Sequence, residues 1–189
     1  MNAQRMRPIV LSSLVVLAAV VMLSWTQRWF TVTLPDDVRV EVLGSDAAGA
    51  LAALALTVFA LVAALSIAST ILRRALGAVA ALVGGAIVVV AQSTLANPIL
   101  ASAELVTEST GISGIESVGA LVVSVEGSPW SITALVAGVL IIVAGLAAAV
   151  SAGRWPTATK KYERRATVMA DDPASQWDAQ SRGIDPTEP

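Results

Sequence analysis

The side chains of this sequence with the most recognition chemistry are its five tryptophans and its clustered charges. Trp25 and Trp29 stand four residues apart, and Arg28 lies between them. An indole offers an apolar ring, one N–H donor and a face on which a cation can stack. These residues therefore point to contacts with a membrane, an aromatic ligand or a protein partner.

The chain contains neither histidine nor cysteine. This removes the usual general base at neutral pH, thiol nucleophiles, disulfides and the common ligand sets for zinc, copper and haem. The acidic residues all lie outside the long apolar segments. We therefore expect that the protein is not an enzyme and has no catalytic, cofactor-binding or metal-binding residues, and we expect no nucleic-acid partner.

Composition places the chain in a membrane. Hydrophobic residues make up 56% of it and charged residues only 14%, whereas soluble domains are about a quarter charged. Apolar runs of roughly 20 residues are long enough to cross about 30 Å of hydrocarbon as helices. Four such runs lie at residues 8–25, 47–72, 75–95 and 131–153. They predict an all-α transmembrane fold, a four-helix membrane bundle.

Two of these runs have an alternative interpretation. The first resembles a secretory signal, but it ends in "SWTQRWF" without a small-x-small cleavage pattern, which favours a retained membrane helix. The second and third runs could form one long helix. That helix would place Arg73 and Arg74 in the bilayer at about 2.5–3.5 kcal/mol each, so we expect a tight turn at residues 73–74 instead.

The distribution of basic residues predicts the orientation. Segments 1–7, 73–74 and 154–189 hold ten of the twelve Lys and Arg residues, whereas segments 26–46 and 96–130 hold only Arg28 and Arg39. Cations are retained on the cytoplasmic side of membranes. We therefore predict a multi-pass plasma-membrane protein with both termini in the cytoplasm and both longer loops outside.

The outer loops carry strand patterns. Alternating residues flank a Pro-Asp-Asp turn and predict a β-hairpin of Trp29–Leu34 with Val38–Leu43. A lone hairpin is marginal in water, and Val118–Gly127 is the obvious third strand. We thus expect a small extracytoplasmic β-sheet formed by the two outer loops. The segment "NPILASAELVTES" predicts a short surface helix, and "TGISGIES" predicts a flexible connection.

Four tryptophans stand at the predicted ends of the membrane helices, and they are predicted to be membrane-interface anchors: Trp25, Trp29, Trp130 and Trp155. Trp25 and Trp29 would share one helix face, and Arg28 could stack on Trp25. The alternative is a stacking platform for an aromatic solute.

Small residues recur every four positions in the spans and predict faces for close helix packing. They are Gly77, Ala81 and Gly85 in the third span, Ala60, Ala64 and Ala68 in the second, and Gly145, Ala149 and Gly153 in the fourth.

The C-terminal segment divides by charge. Its basic part is predicted to contact anionic lipid headgroups through Arg154, Lys160, Lys161, Arg164 and Arg165. Its acidic part carries the start and stop signals of a short helix around a single tryptophan. We predict that this part binds a protein partner through Trp177, Asp178, Gly183, Asp185, Pro186 and Thr187. The alternative is an unstructured solubilising tail.

Three stretches carry a family resemblance: "MLSWTQRWFTV", "RRALGAVAALVGG" and "WDAQSRGIDPT". In this order they resemble the actinobacterial tryptophan-biosynthesis-associated membrane protein family. The resemblance covers essentially the whole chain. It implies a setting beside tryptophan biosynthesis and no established activity.

Two functions are consistent with these features. The first is an accessory or scaffold membrane protein, associated with tryptophan biosynthesis, whose cytoplasmic tail binds a partner. The second is a small transporter or exporter component for tryptophan, indole or a related aromatic solute.

The predicted orientation can be tested by labelling. A membrane-impermeant amine reagent added to intact cells should leave Lys160 and Lys161 unmodified, because both are predicted to lie in the cytoplasm. The same reagent should modify both after permeabilisation, as measured by peptide mass spectrometry. Modification of either lysine in intact cells would contradict the orientation.

Overall fold

The computed structural model describes residues 3–155, which form seven α-helices and three β-strands. In chain order the elements are α1 (Ala3–Trp25), β1 (Arg28–Thr33), β2 (Arg39–Leu43), α2 (Gly44–Ala47), α3 (Ala50–Ile67), α4 (Thr70–Ala96), α5 (Pro98–Thr110), α6 (Ile115–Leu121), β3 (Ser124–Gly127) and α7 (Pro129–Ser151). Short 3-10 turns span Pro35–Asp37 and Ala152–Arg154.

Four of these helices, α1, α3, α4 and α7, are long and apolar enough to cross a membrane. A helix bonds its own backbone N–H and C=O groups, which is what a chain inside hydrocarbon requires. The four helices pack in a ring in which α1 contacts α3 and α7, and α4 contacts α3 and α7. The predicted four-helix transmembrane bundle is confirmed.

The contact between α4 and α7 is made by glycines. A Cβ atom on Gly77 would lie 2.6 Å from the amide nitrogen of Ala149, and one on Gly145 would lie 2.6 Å from that of Ala81. Further along, a Cβ on Gly84 would lie 2.9 Å from the carbonyl oxygen of Gly138. No side chain fits in these gaps, so the two backbones touch directly. Close approach of this kind supplies van der Waals packing in lipid, where hydrophobic association is weak.

The small-residue prediction is right for part of this face and wrong at Gly85, Ala60 and Gly153. Gly77, Ala81, Gly145 and Ala149 meet as predicted, but a Cβ on Gly85 would meet nothing within 4 Å. The reason is helix geometry: seven residues from Gly77 to Gly84 make nearly two full turns, whereas an eighth residue rotates off the face. Ala60 of the second span is exposed, and Gly153 lies beyond the end of α7.

The turn between the second and third spans lies earlier than predicted. Ala68 and Ser69 have extended backbone, with ψ angles of 152° and 165°, and they separate α3 from α4. The predicted turn at residues 73–74 is therefore wrong. Arg73 and Arg74 are instead the fourth and fifth residues of α4. The amide of Arg73 already bonds the carbonyl of Ser69 at 2.8 Å.

The predicted three-stranded sheet is present, in the order β2-β1-β3 with both pairs antiparallel. Val32 in the central strand is fully buried, opposite Val40 on one side and Val125 on the other. Asp36 and Asp37 in the hairpin turn take positive φ angles of 61° and 58°. Aspartate tolerates this conformation better than most residues, which explains why the Pro-Asp-Asp signal was informative.

Because β3 pairs with β1, the segments after α1 and after α4 meet at one end of the bundle, which we call the sheet end. The third strand is shorter than predicted, since Val118–Leu121 belongs to α6. The predicted flexible connection is wrong in its second half, where Ile115 begins the same helix. Gly111 and Gly114, both with positive φ, form the actual break between α5 and α6.

The glycine contact can be tested with one pair of alanine substitutions in α4. Gly77→Ala should lower the free energy of unfolding by about 1–3 kcal/mol, because the new methyl group would meet the backbone of α7. Gly85→Ala is the matched control and should be neutral or stabilising, since its methyl group would enter open space. Thermal unfolding in one detergent measures both. Equal effects of the two substitutions would contradict the contact.

Candidate functional site

Charge separates the two ends of the bundle. Every Asp and Glu of residues 3–155 lies in residues 36–46 or 104–126, the segments that join the spans at the sheet end. Arg7, Arg73 and Arg74 instead lie at the opposite end, near the turn at Ala68 and Ser69. We call this second end the arginine end. The positions of the acidic and basic residues therefore give each end its own chemistry.

Trp29 belongs to the sheet and not to the first helix. α1 ends at Trp25, and Trp29 lies in β1, where it is fully buried. Its indole Nε1 donates a hydrogen bond to the carbonyl oxygen of Ser24 at 2.9 Å. A Cβ on Gly44 would lie 2.7 Å from this Nε1, so Gly44 leaves room for the ring. The predicted interface anchor at Trp29 is wrong, because the side chain joins the sheet to the bundle and has no surface left for headgroups.

Trp25 and Trp130 are half-buried, and they lie where the end of α1 meets the start of α7. The hydroxyl of Ser24 donates to the carbonyl oxygen of Trp130 at 2.6 Å, which joins the end of α1 to the start of α7. Trp25 Nε1 is buried without a hydrogen-bond partner in the described part of the chain. The role of these two residues as membrane anchors stays a prediction.

Arg28 takes a different partner from the one that its spacing suggested. Its guanidinium pairs with Glu41 across β1 and β2, with 2.7 Å between Nη1 and Oε1. Both side chains are at least half exposed. The stacking of Arg28 on Trp25 that the sequence suggested is replaced by this cross-strand ion pair, which stabilises the hairpin only weakly because water screens it.

Trp155 is enclosed at the arginine end. It is 3% exposed, and its Nε1 donates to the hydroxyl of Ser151 at 3.0 Å. The guanidinium carbon of Arg73 lies 5.6 Å from the centre of the Trp155 ring, a cation–π distance. The predicted interface anchor at Trp155 is wrong for the same reason as at Trp29: the ring is covered by protein.

Two further arginines complete the arginine end. Arg7 donates from Nη2 to the carbonyl oxygen of Ser66, which ties the start of α1 to the end of α3. Arg74 is exposed, and its Nη2 lies near Gly153, 3.2 Å from the position of a Cβ there. Arg73 and Arg74 of α4 thus lie at the point where the chain leaves α7, and Arg7 is a charged neighbour of Arg73. Because the sequence predicted a turn at residues 73–74, it did not predict the contact of these arginines with the end of α7. The signal that was present is an apolar run that begins with two arginines.

The sheet end contains a polar cleft lined by α2, the end of α4 and α5. Asp46, Thr94, Asn97 and Glu104 are among the residues that line a cavity of about 330 Å³. Glu108 lines a neighbouring cavity of about 350 Å³. No group of three or more acidic side chains in residues 3–155 has a geometry that could hold a metal ion.

Several hydroxyl side chains within the spans bond the helices that carry them, whereas Ser24 bonds α7 as described above. Thr57 donates to the carbonyl of Ala53 at 2.8 Å, and Ser151 donates to that of Ala147 at 2.6 Å. Thr94 donates to the carbonyl of Val90 at 2.9 Å, and the carbonyl of Ala47 in α2 is a second, longer acceptor at 3.3 Å. These bonds satisfy the hydroxyls locally, as is usual for Ser and Thr in membrane helices.

The remaining predicted site residues lie in the C-terminal segment. Of Arg154 only the backbone is described. The other predicted lipid contacts, Lys160, Lys161, Arg164 and Arg165, and the predicted partner-binding residues from Trp177 to Thr187 lie outside the described residues.

Comparison with known proteins identifies the family. The family described as "Tryptophan-associated transmembrane protein" matches residues 11–187, nearly the whole chain, and the chain belongs to it. This agrees with the resemblance found in the sequence. No curated protein and no solved structure matches the chain.

The Trp155 site predicts a measurable stability effect. Trp155→Leu should lower the free energy of unfolding by about 2–4 kcal/mol, because it removes a buried indole, its hydrogen bond to Ser151 and the cation–π contact with Arg73. Trp155→Phe keeps a ring beneath the guanidinium and should cost less than half as much. Chemical unfolding in detergent measures both variants. A larger loss for Phe than for Leu would contradict the role of the ring.

Proposed function

We propose that this member of the tryptophan-associated transmembrane protein family is a non-catalytic accessory membrane protein that holds a cytosolic partner at its C-terminal segment. In this proposal the bundle is the fixed part. Residues 170–189 are the binding part, with Trp177 as the central apolar contact. The partner belongs to tryptophan biosynthesis or its control.

The observation that carries the proposal is the way in which the chain leaves the bundle. Trp155 is locked between the guanidinium of Arg73 and the hydroxyl of Ser151, just after the last spanning helix ends. A buried tryptophan at this point fixes the position and direction from which the next residues depart. A scaffold needs such a fixed departure point, because it holds a soluble partner at a defined place on the membrane.

The packing of the spans supports a scaffold over a carrier. α4 and α7 touch backbone to backbone at Gly77, Gly84 and Gly145. The hydroxyls of Thr57, Thr94 and Ser151 bond carbonyls of their own helices. Contacts this close favour one fixed packing of α4 against α7, whereas alternating access requires groups of helices to move past each other.

The sequence of the C-terminal segment supports the kind of partner surface that we propose. Trp177 is followed by Asp178, and two further acidic residues, Asp185 and Glu188, lie near the end of the chain. Tryptophan is among the residues that contribute most to protein interfaces, where it fills an apolar pocket. The matching partner surface is an apolar pocket with a basic rim.

This proposal predicts the loss of one partner in a capture experiment. The full chain and a variant lacking residues 170–189 are purified in mild detergent from cells of the native host, and co-purifying proteins are identified by mass spectrometry. The full chain should retain a tryptophan-biosynthesis protein that the shortened chain loses. Trp177→Ala should weaken binding at least tenfold, because the central apolar contact is removed. Thr159→Ala is the control in the C-terminal segment outside residues 170–189 and should bind within twofold of the full chain.

The same variants separate the scaffold from the transporter. Proteoliposomes that contain the full chain should show no uptake or release of labelled tryptophan or indole above empty liposomes. Solute flux that survives deletion of residues 170–189 would contradict the proposed function and favour a carrier.

A further inference from the structure

The arginine end holds a buried charge that the described protein does not neutralise. Arg73 is 5% exposed, and its Nε and Nη1 groups have no hydrogen-bond partner in residues 3–155. The indole face of Trp155 attracts the cation but accepts no conventional hydrogen bond from it. A buried cation with unpaired N–H groups is unfavourable unless an anion pairs with it. The structure therefore calls for an anion at this place.

No acidic residue among residues 3–155 is in position to supply that anion. All of them lie in residues 36–46 or 104–126, in the segments at the sheet end. The charged neighbour that acts on Arg73 is instead Arg7, a second cation, and Arg74 follows Arg73 directly. Three guanidiniums near one turn make a strongly positive site. Arginine forks match the oxygen atoms of a phosphate group in geometry as well as in charge.

An apolar groove leads away from this end along the seam of α1 and α7. Its first part, a cavity of about 390 Å³, begins at Val10 and Ala147, and Val10 is one helical turn from Arg7. Its second part, of about 450 Å³, continues to Pro129 at the sheet end. Both parts share Leu17 and Leu140. The groove therefore follows the seam along the membrane-spanning length of the bundle.

We propose that Arg73, together with Arg7 and Arg74, binds the phosphate of one anionic phospholipid, and that an acyl chain of this lipid lies in the α1–α7 groove. Arg73 is the fourth residue of a spanning helix, which places it close to the depth of lipid headgroups. The groove favours a lipid as the source of the phosphate, because an acyl chain can bind in an apolar groove and a free phosphate ion cannot. This site is distinct from the basic segment at residues 154–165, whose lipid contacts were predicted from charge alone.

The experiment is a lipid titration of the full chain, purified in mild detergent and observed by native mass spectrometry. With phosphatidylglycerol as the probe, the wild type should bind one lipid much more tightly than any that follow. Arg73→Gln should weaken the first binding step at least tenfold. Arg39→Gln makes the same chemical change on an exposed arginine of the sheet and should leave this step unchanged. A variant with Lys160, Lys161, Arg164 and Arg165 all changed to Gln should also retain it.

Three outcomes would overturn the proposal. Arg73→Gln could bind the lipid as tightly as the wild type, or only the four-residue tail variant could lose it. Inorganic phosphate at the same concentration could displace the lipid, which would make the site one for free phosphate. If Arg73→Gln does not fold, Arg74→Gln serves in its place, since Arg74 is exposed. That variant should unfold at the wild-type temperature and bind the lipid more weakly, and unchanged binding would overturn the proposal equally.

Discussion

The direct contact between the backbones of α4 and α7 is the constraint on which the rest of the structure depends. Gly77 and Gly84 on one helix and Gly138 and Gly145 on the other bring the two axes together over two turns. This contact sets the axial position of α7 relative to α4. At one end it places Trp155 beneath Arg73, and at the other it brings the segment before α7 to the first hairpin, where β3 pairs with β1. The tertiary features at both ends thus depend on residues that have no side chain.

The separation of charge between the two ends follows from the same architecture. The spans between the ends are apolar, so each charged residue must lie where water or headgroups can solvate it, or where another group pairs with it. At the sheet end, Arg28 meets Glu41 in an ordinary exposed ion pair. At the arginine end, Arg73 is enclosed, and its described partners are an aromatic ring and a second cation. The two ends therefore differ in kind: the sheet end holds eight acidic residues and two arginines, whereas the arginine end holds no acidic residue among residues 3–155.

Sequence patterns predicted the helices and strands much better than the burial and contacts of individual side chains. Run lengths of apolar residues identified the four spans, and alternation around a Pro-Asp-Asp turn identified the hairpin, because both signals are local. The burial of Trp29 and Trp155 was not predictable in the same way. A tryptophan near the end of a span looks the same in sequence whether it faces lipid or a strand that folds back over the helix. Whether the ring is buried depends on the residue that it contacts, which is Gly44 for Trp29 and Arg73 for Trp155. Each of these residues comes from another element of the fold.

The same distinction explains why the turn after the second span was misplaced. A pair of arginines in an apolar run predicts a break, because each charge is costly in hydrocarbon. The chain instead breaks five residues earlier, at Ala68 and Ser69, and carries both arginines inside α4 near its first residue. Arg73 then gains the ring of Trp155, which the sequence places 82 residues away. A charged residue near the end of an apolar run therefore predicts that this residue lies near the end of a membrane span. The residue at which the helix breaks depends instead on how the neighbouring helices pack around the charged side chain.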